Sequence, residues 1–193
     1  MTTKRPLQRC TGLSLAILQT GVKMKRRIFM LSKGDAVVYK CRGLYMVKDI
    51  GTLDFLSQNK ERQYYTLQSV ENAGERAYIP TDDETNIRRP VSEEEAMELI
   101  GRIPQIETLK IKNEKFREQE YKDCISDYCP ENWVKVLKTT YKRTKSRGSI
   151  TSVDRKYQTL LEHALYSEFA FALGIPAGQM PRFIEDHIHD MES

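Results

Sequence analysis

The chain has 193 residues, of which 39% are hydrophobic and 30% are charged, and this composition can build one ordinary globular domain or two small ones. Its formal net charge of +4 is unevenly distributed: residues 1–29 carry +7, residues 30–90 carry 0 and residues 91–193 carry −3. The overall charge is therefore no evidence for nucleic-acid binding, which must rest on a local patch.

The first segment, residues 1–29, contains seven Lys or Arg and no acidic residue. We expect a disordered basic leader or a start assigned too early, since Met24 and Met30 are alternative starts and strand patterning begins only near Lys33. The apolar run 13–22 is about ten residues long, well short of the ~20 that a membrane-spanning helix needs. We therefore expect no membrane partner and a cytoplasmic location.

Short runs rich in Val, Ile, Tyr and Thr follow, separated by Gly, Asn and Asp, and predict four or five strands. They cover residues 36–39, 43–47, 64–67 and 76–80. So few apolar side chains favour a tightly curled sheet with few exposed edges. We predict a small SH3-like or Tudor-like β-barrel over residues 30–85.

Residues 86–91 lie in a stretch without apolar periodicity and are predicted to be a linker. Beyond them the pattern is helical, beginning with a capping box formed by Ser92 and Glu95. The predicted helices cover residues 92–100, 113–126, 131–145, 152–173 and 177–189. The predicted fold class is α+β, with the barrel followed by an all-α bundle of about five helices in residues 92–191.

A basic patch is the main functional signal in the helical region. Between residues 135 and 156, eight basic residues stand against a single acidic residue, Asp154. The bases are Lys135, Lys138, Lys142, Arg143, Lys145, Arg147, Arg155 and Lys156. Four of these lysines fall within a sector of ~80° on one helix, where they repel one another unless an anion lies against them. A following helix that Ser152 caps would add free amide donors for a phosphate.

Two interpretations of this patch remain open. Duplex DNA bound through its phosphates is favoured, with contacts that read no base sequence directly and weaken steeply with salt. The alternative is a solvated lysine face without a ligand. Trp133 aligns with Leu137 and Tyr141 and is expected to anchor the helical core.

The sequence offers no candidate for catalysis, cofactor binding or metal binding. There is no Gly-rich phosphate loop, nucleophile elbow or HExxH run, and His163 lies in an apolar helical stretch. His187 and His189 lie near a polar terminus and carry no ligand spacing. The four cysteines match no zinc-binding pattern and are expected to be reduced thiols.

The segment 32–39 (SKGDAVVY), followed by Gly43 and by Tyr78-Ile79-Pro80, resembles the amino-terminal module of CarD/CdnL-type bacterial transcription regulators, a module shared with transcription-repair coupling factors. Downstream, Lys142-Arg143 to Arg147-Gly148, the run 154–156 (DRK) and residues 166–174 (YSEFAFALG) resemble the helical domain of that family. Both modules match in order, over about residues 30–175.

The resemblance implies a non-enzymatic factor. Its Tudor-like barrel would bind the β subunit of RNA polymerase, and its helical domain would contact promoter DNA near the upstream edge of the melting bubble. Docking of the barrel uses an exposed sheet edge in this family. The residues expected at the polymerase contact are Ile50, Gly51, Thr52, Leu53, Asp54 and Tyr78.

Carried over by position, Arg155 falls where family members have a DNA-contacting lysine. The stretch that contains a DNA-wedging tryptophan in well-known members corresponds to residues 113–117, whose aromatic residue is Phe116. We therefore predict a monomeric transcription regulator that binds the polymerase β subunit and promoter double-stranded DNA and modulates open-complex stability. An RNA-binding or ribosome-associated adaptor with a KOW-like barrel is the alternative, and a purely structural interaction protein is a further one.

Overall fold

The structure is a computed structural model that describes residues 31–53, 61–83 and 85–192. The predicted basic leader, residues 1–29, lies outside the described residues, and so does Asp54. Among the described helices, none is long and apolar enough to cross a membrane.

The described residues between 31 and 91 contain one antiparallel sheet and are called the β domain. Its strands are β1 (Ala36–Tyr39), β2 (Leu44–Gly51), β3 (Tyr64–Ser69), β4 (Arg76–Pro80) and β5 (Ile87–Arg88). The strand order is β4-β3-β2-β1-β5, with a register shift in β2 between Val47 and Asp49. The four predicted strands are confirmed, and β4 and β5 are the edge strands of the described sheet.

β5 is a correction to the predicted linker. Ile87 and Arg88 pair with Tyr39 and Val38 of β1, inside the segment 86–91 that was expected to connect the domains without structure. A two-residue strand is too short to produce a detectable period-2 pattern, so no local signal predicted it. The β domain therefore continues to the start of the first helix.

The helical domain contains five α-helices among the described residues: α1 (Glu93–Arg102), α2 (Arg117–Cys124), α3 (Pro130–Arg147), α4 (Ser152–Leu173) and α5 (Met180–Glu192). The segment between α1 and α2 contains two one-turn 3-10 helices, Ile103–Gln105 and Glu114–Phe116. The predicted capping box of α1 is confirmed in both hydrogen bonds. The cap of α4 is Thr151 rather than the predicted Ser152, because the Thr151 hydroxyl accepts from the backbone amide of Asp154. The predicted α+β class is thus confirmed.

The two domains share a hydrophobic core. Successive residues of β1 face opposite sides of the sheet: Val37 packs with Tyr45 and Leu67 inside the β domain, whereas Val38 packs into the cluster of the helical domain. Trp133 lies in the cluster of the helical domain and has no exposed surface, as predicted. The sheet is therefore covered by helices on one face, and the domains are not independent modules.

Gly43, in the turn between β1 and β2, permits this close packing. Its φ of +93° is in the region that favours glycine, and an added Cβ would lie 2.6 Å from the Ser167 hydroxyl oxygen on α4. A side chain at this position would require Ser167 to move and would strain the backbone.

A buried ion pair also joins the domains. Both terminal nitrogens of Arg88 donate to the carboxylate of Glu168 on α4, which has no exposed surface. The Glu168 carboxylate also accepts the backbone amide of Val91 at 2.9 Å. The Arg88 guanidinium lies over the Trp133 ring, and its Nε donates to the Tyr128 carbonyl. This arrangement fixes the orientation of the sheet relative to α3 and α4.

The cysteines only partly follow expectation. Cys41 and Cys124 are free thiols, and burial raises the pKa of each to about 11. Cys129 is disulfide-bonded, so the expectation of a reduced thiol is wrong for this residue. A pairing depends on which sulfur atoms the fold brings together, and sequence spacing does not reveal that.

Candidate functional site

The predicted polymerase-contact residues lie at one end of the sheet. Ile50 and Gly51 close β2 and pair with Tyr65 and Tyr64, while the exposed Thr52 and the half-buried Leu53 follow the strand. Tyr78 is on the edge strand β4 and pairs with Thr66, which in turn pairs with Asp49 on β2. Directly opposed residues share a face, so Tyr78 and Asp49 lie about 10 Å apart on the same side. The structure thus brings together the two sequence segments of the predicted surface.

The predicted DNA-binding residues do not form one uniform stripe. Their internal partners divide them into three kinds: residues that hold the fold, residues paired with carboxylates, and residues open to solvent.

Lys138 holds the fold. Its ammonium donates to the carbonyl oxygen of Ile103 at 2.5 Å and to that of Pro104 at 3.0 Å, at the end of the turn that follows α1. Partial burial lowers the pKa of this lysine. The side chain thus binds backbone carbonyls at the end of this turn, which is a structural role.

Arg143 and Arg147 are paired with a carboxylate that the local charge count did not include. Arg143 donates to Glu114 Oε2 at 2.6 Å, and Arg147 lies 3.3 Å from the same oxygen. Arg117, the first residue of α2, donates to it as well at 2.5 Å. The hydrogen bond from Arg143, followed by those from Arg117 and Arg147, lowers the pKa of Glu114 to about 2.

Asp154 supports two of these arginines from behind. It is 1% exposed, and its carboxylate oxygens lie 3.3 Å from Arg117 Nε and 3.6 Å from Arg143 Nε. It also accepts the hydroxyls of Tyr121 and Thr151. The sole acid within the predicted patch is therefore a buried positioning group, not a surface charge that weakens the patch.

Lys156 is paired, and the remaining bases are open. Lys156 donates to Glu118 at 2.8 Å. Lys142, Lys145 and Arg155 are exposed and make no ion pair with any residue that the structure describes, and Lys135 is half-buried with the same lack of a carboxylate partner. The open cations at the carboxyl end of α3 and the start of α4 are thus fewer than the eight predicted.

Sequence reasoning missed the segment that precedes α2. Lys110, Lys112 and Lys115 are exposed, and the Leu109 amide donates to Thr139 on α3 at 2.8 Å, which places this segment beside the basic helix. Lys110 lines an open groove together with Lys138, Tyr141 and Lys142. A charge count over residues 110–117 shows four bases against one acid, a signal that is available in the sequence but lies outside any clear helix pattern.

Phe116 is the most exposed of the large apolar side chains in the described residues, at 62%. It lies between Lys115 and Arg117, immediately before α2. The position is the one that corresponds by resemblance to the wedging tryptophan. Trp133, by contrast, is completely buried beneath Arg88 and is not available to a ligand.

No cluster of metal-binding side chains occurs among the described residues. His163, which was expected at an interior or boundary position, is half-exposed and contacts Glu71 at 2.6 Å, between α4 and the turn before β4. This contact joins the helical domain to the β domain. His187 stacks on Phe183 within α5.

The fold and these surfaces define a two-domain protein, with a sheet that presents an edge and a helical domain that presents a basic face. Residues 31–91 match the family model of the CarD-like/TRCF RID domain, which is an RNA polymerase-interacting domain and is non-enzymatic in general. The predicted family resemblance is thereby confirmed over the whole β domain, β5 included. Comparison with curated proteins gives no match.

Proposed function

We propose that this chain is a transcription regulator that binds the β subunit of bacterial RNA polymerase through its β domain and promoter double-stranded DNA through its helical domain. It acts as a monomer without a cofactor and modulates the stability of the open complex. The observation that carries the proposal is the match of residues 31–91 to an RNA polymerase-interacting domain, fused to a helical domain with an open basic face.

The geometry of the β domain supports the polymerase contact. The end of β2 and the edge strand β4 present exposed residues on the same end of the sheet, Thr52 and Tyr78 among them. A partner strand that adds to a sheet edge gains main-chain hydrogen bonds, and neighbouring side chains supply specificity. The face of the sheet that carries Val38 is buried against the helices. We therefore expect the partner to approach the end of the sheet formed by β2 and β4.

The helical domain supports a phosphate-binding surface. Lys142, Lys145 and Arg155 are exposed without carboxylate partners, and Lys110, Lys112 and Lys115 extend the basic surface along the segment beside α3. Cations of this kind bind duplex phosphates irrespective of base sequence and release counterions, which makes the affinity salt-dependent. The exposed ring of Phe116 adds an apolar group at the same surface.

The rigid connection between the domains supports a joint action. The shared core and the Arg88–Glu168 pair hold the basic face at a fixed orientation relative to the sheet edge. A protein that docks on polymerase in one orientation then presents its cations to one defined stretch of DNA. This preorganisation reduces the entropic cost of the second contact.

The experiment is the lifetime of promoter complexes formed by RNA polymerase with the full chain and a triple variant, Lys142→Glu, Lys145→Glu and Arg155→Glu. These three side chains make no ion pair with any described residue, so the variant should keep its fold. Its effect on the lifetime of promoter complexes should be at least tenfold smaller than that of the wild-type chain. Arg182→Glu is the matched control, because Arg182 is 86% exposed on α5, which packs on α1 and α4 rather than on α3.

An unchanged effect in the triple variant would refute the DNA surface. Tighter binding of RNA than of duplex DNA by the wild-type chain would favour the RNA-binding adaptor instead. The salt dependence gives a further check, since each lost phosphate contact should lower the slope of log K against log salt by about 0.9.

A further inference from the structure

Three arginines from two helices converge on a single oxygen of Glu114. Arg117 and Arg143 donate to this oxygen at 2.5 and 2.6 Å, and Arg147, one turn beyond Arg143 on α3, lies 3.3 Å from it. One carboxylate oxygen is thus surrounded by donors that could serve several acceptor atoms. Arginine forks match the geometry of phosphate oxygens, which are also distributed around one centre.

Two of the three arginines have a second carboxylate neighbour besides Glu114. The buried Asp154 lies 3.3 Å from Arg117 Nε and 3.6 Å from Arg143 Nε, and these two side chains are only 11% and 15% exposed, whereas Arg147 is 38% exposed. The ion pairs with Asp154 and the burial favour the present orientation of Arg117 and Arg143 when Glu114 leaves. These two arginines form the preorganised part of the site.

Glu114, by contrast, is open to solvent. It belongs to the one-turn helix Glu114–Phe116, outside the main helices, and its side chain is 54% exposed. An incoming anion must compete with its ion pairs to the arginines, and it can reach them from the solvent side. Lys112, Lys115 and Phe116, its neighbours in sequence, are also exposed, so Glu114 belongs to the surface that we propose to bind DNA.

We propose that Arg117, Arg143 and Arg147 form a phosphate site that the Glu114 carboxylate occupies in the free protein. A backbone phosphate of bound DNA displaces Glu114 and takes over its three donors. Glu114 is then an internal competitor that lowers the affinity for DNA. The identity of the ligand as a DNA phosphate rests on the function proposed above, whereas the anion site itself does not.

The test measures duplex DNA affinity and inorganic phosphate affinity for the full chain and for Glu114→Gln. We expect Glu114→Gln to bind both probes about tenfold more tightly, because it frees charge-assisted donors. Glu118→Gln is the matched control: it removes the same charge from α2, but Glu118 pairs with lysines only. It should improve DNA binding by no more than about twofold through general electrostatics.

A second variant tests the geometry of the site. Arg147→Lys in the Glu114→Gln background keeps the charge but loses the fork, and we expect it to abolish most of the gain. If Glu114→Gln does not fold, Arg147→Lys alone should still weaken DNA binding more than Lys145→Arg changes it. If the double variant, Arg147→Lys with Glu114→Gln, kept the full gain in DNA and phosphate affinity, the proposed site would be overturned.

The outcomes separate this inference from the proposed function. Tighter phosphate binding by Glu114→Gln with no DNA binding by any variant would support the anion site and refute the DNA-binding function. DNA binding by the wild-type chain that rises equally in Glu114→Gln and Glu118→Gln would leave the function standing and overturn the displaced-carboxylate site.

Discussion

Arg88, on the two-residue strand β5, forms a two-point ion pair with Glu168 on α4, and the Glu168 carboxylate is fully buried. The pair lies between the sheet and the helices, with Trp133 beneath it. Arg88 belongs to the last strand of the β domain before α1. The carboxyl end of the β domain is thus held against the helical domain by this ion pair.

Replacement of Arg88 should lower the stability of the folded protein. In Arg88→Met the buried Glu168 carboxylate loses its ion-pair partner, which is expected to lower the free energy of unfolding by about 3–5 kcal/mol. Urea denaturation followed by circular dichroism and by the fluorescence of Trp133 measures this. Because the core is shared, both probes should report one transition.

Arg62→Met is the matched control for Arg88→Met. Arg62 pairs with Asp82, and both side chains are exposed, so the same substitution should change stability little. Equal destabilisation by the two substitutions would show that the Arg88–Glu168 pair does not join the domains. Two separate transitions in the wild-type chain would contradict the shared core.

Lys138 and Lys142 should behave differently although they are one turn apart on α3. Lys138→Gln loses two hydrogen bonds to backbone carbonyls and is expected to lower stability by about 1–2 kcal/mol. Lys142→Gln should leave stability unchanged and weaken DNA binding. Thermal unfolding and DNA titration of both variants check this, and the reverse pattern would contradict the assigned roles.

The Glu114 ion pairs should give a pH-dependent contribution to stability. The pKa of Glu114 falls from 4.5 to about 2 in the folded state, mainly through Arg143. A lowered pKa stabilises the protein above the unfolded value and loses that effect as the pH falls toward the folded value. The wild-type chain should therefore exceed Glu114→Gln in stability above pH ~5, with a gap that closes between pH ~4.5 and ~2. Urea unfolding at several pH values measures the gap, and a gap that widens on acidification would contradict the assignment.

Phe116 should contribute to DNA binding and not to folding. Its ring is mostly exposed beside the arginine site, so Phe116→Ala is expected to shorten promoter-complex lifetimes about five- to tenfold through the loss of an apolar contact with the bases. The melting temperature should stay unchanged. Phe171→Ala is the control, because Phe171 is 50% exposed on α4. An equal loss in both variants would point to a general effect of surface hydrophobicity.

Short-range patterns allowed most of the fold to be predicted. The strands β1 to β4 follow from apolar runs between glycines, the start of α1 follows from Ser92 and Glu95, and the burial of Trp133 follows from its helical alignment with Leu137. Each of these signals involves residues a few positions apart. Such local signals are strong because backbone geometry repeats over the same distance.

The parts that could not be predicted depend on distant residues. Glu114 and Arg143 are 29 positions apart, and Lys138 and Ile103 are 35 apart, so no charge count within one helix reveals these partners. The sequence separation of Arg88 and Glu168 is 80 positions. The predicted patch therefore contained residues that serve the fold, and its role in DNA binding stays a prediction.

The most direct test of the account is equilibrium binding of the full chain to purified bacterial RNA polymerase at about 50 mM salt. We predict a dissociation constant on the order of micromolar or tighter. The double variant Thr52→Asp and Leu53→Asp should weaken it at least tenfold, whereas Val70→Asp, exposed at the other end of β3, should bind as the wild type does. No binding by the wild-type chain, or equal binding by all three proteins, would contradict the proposed polymerase contact.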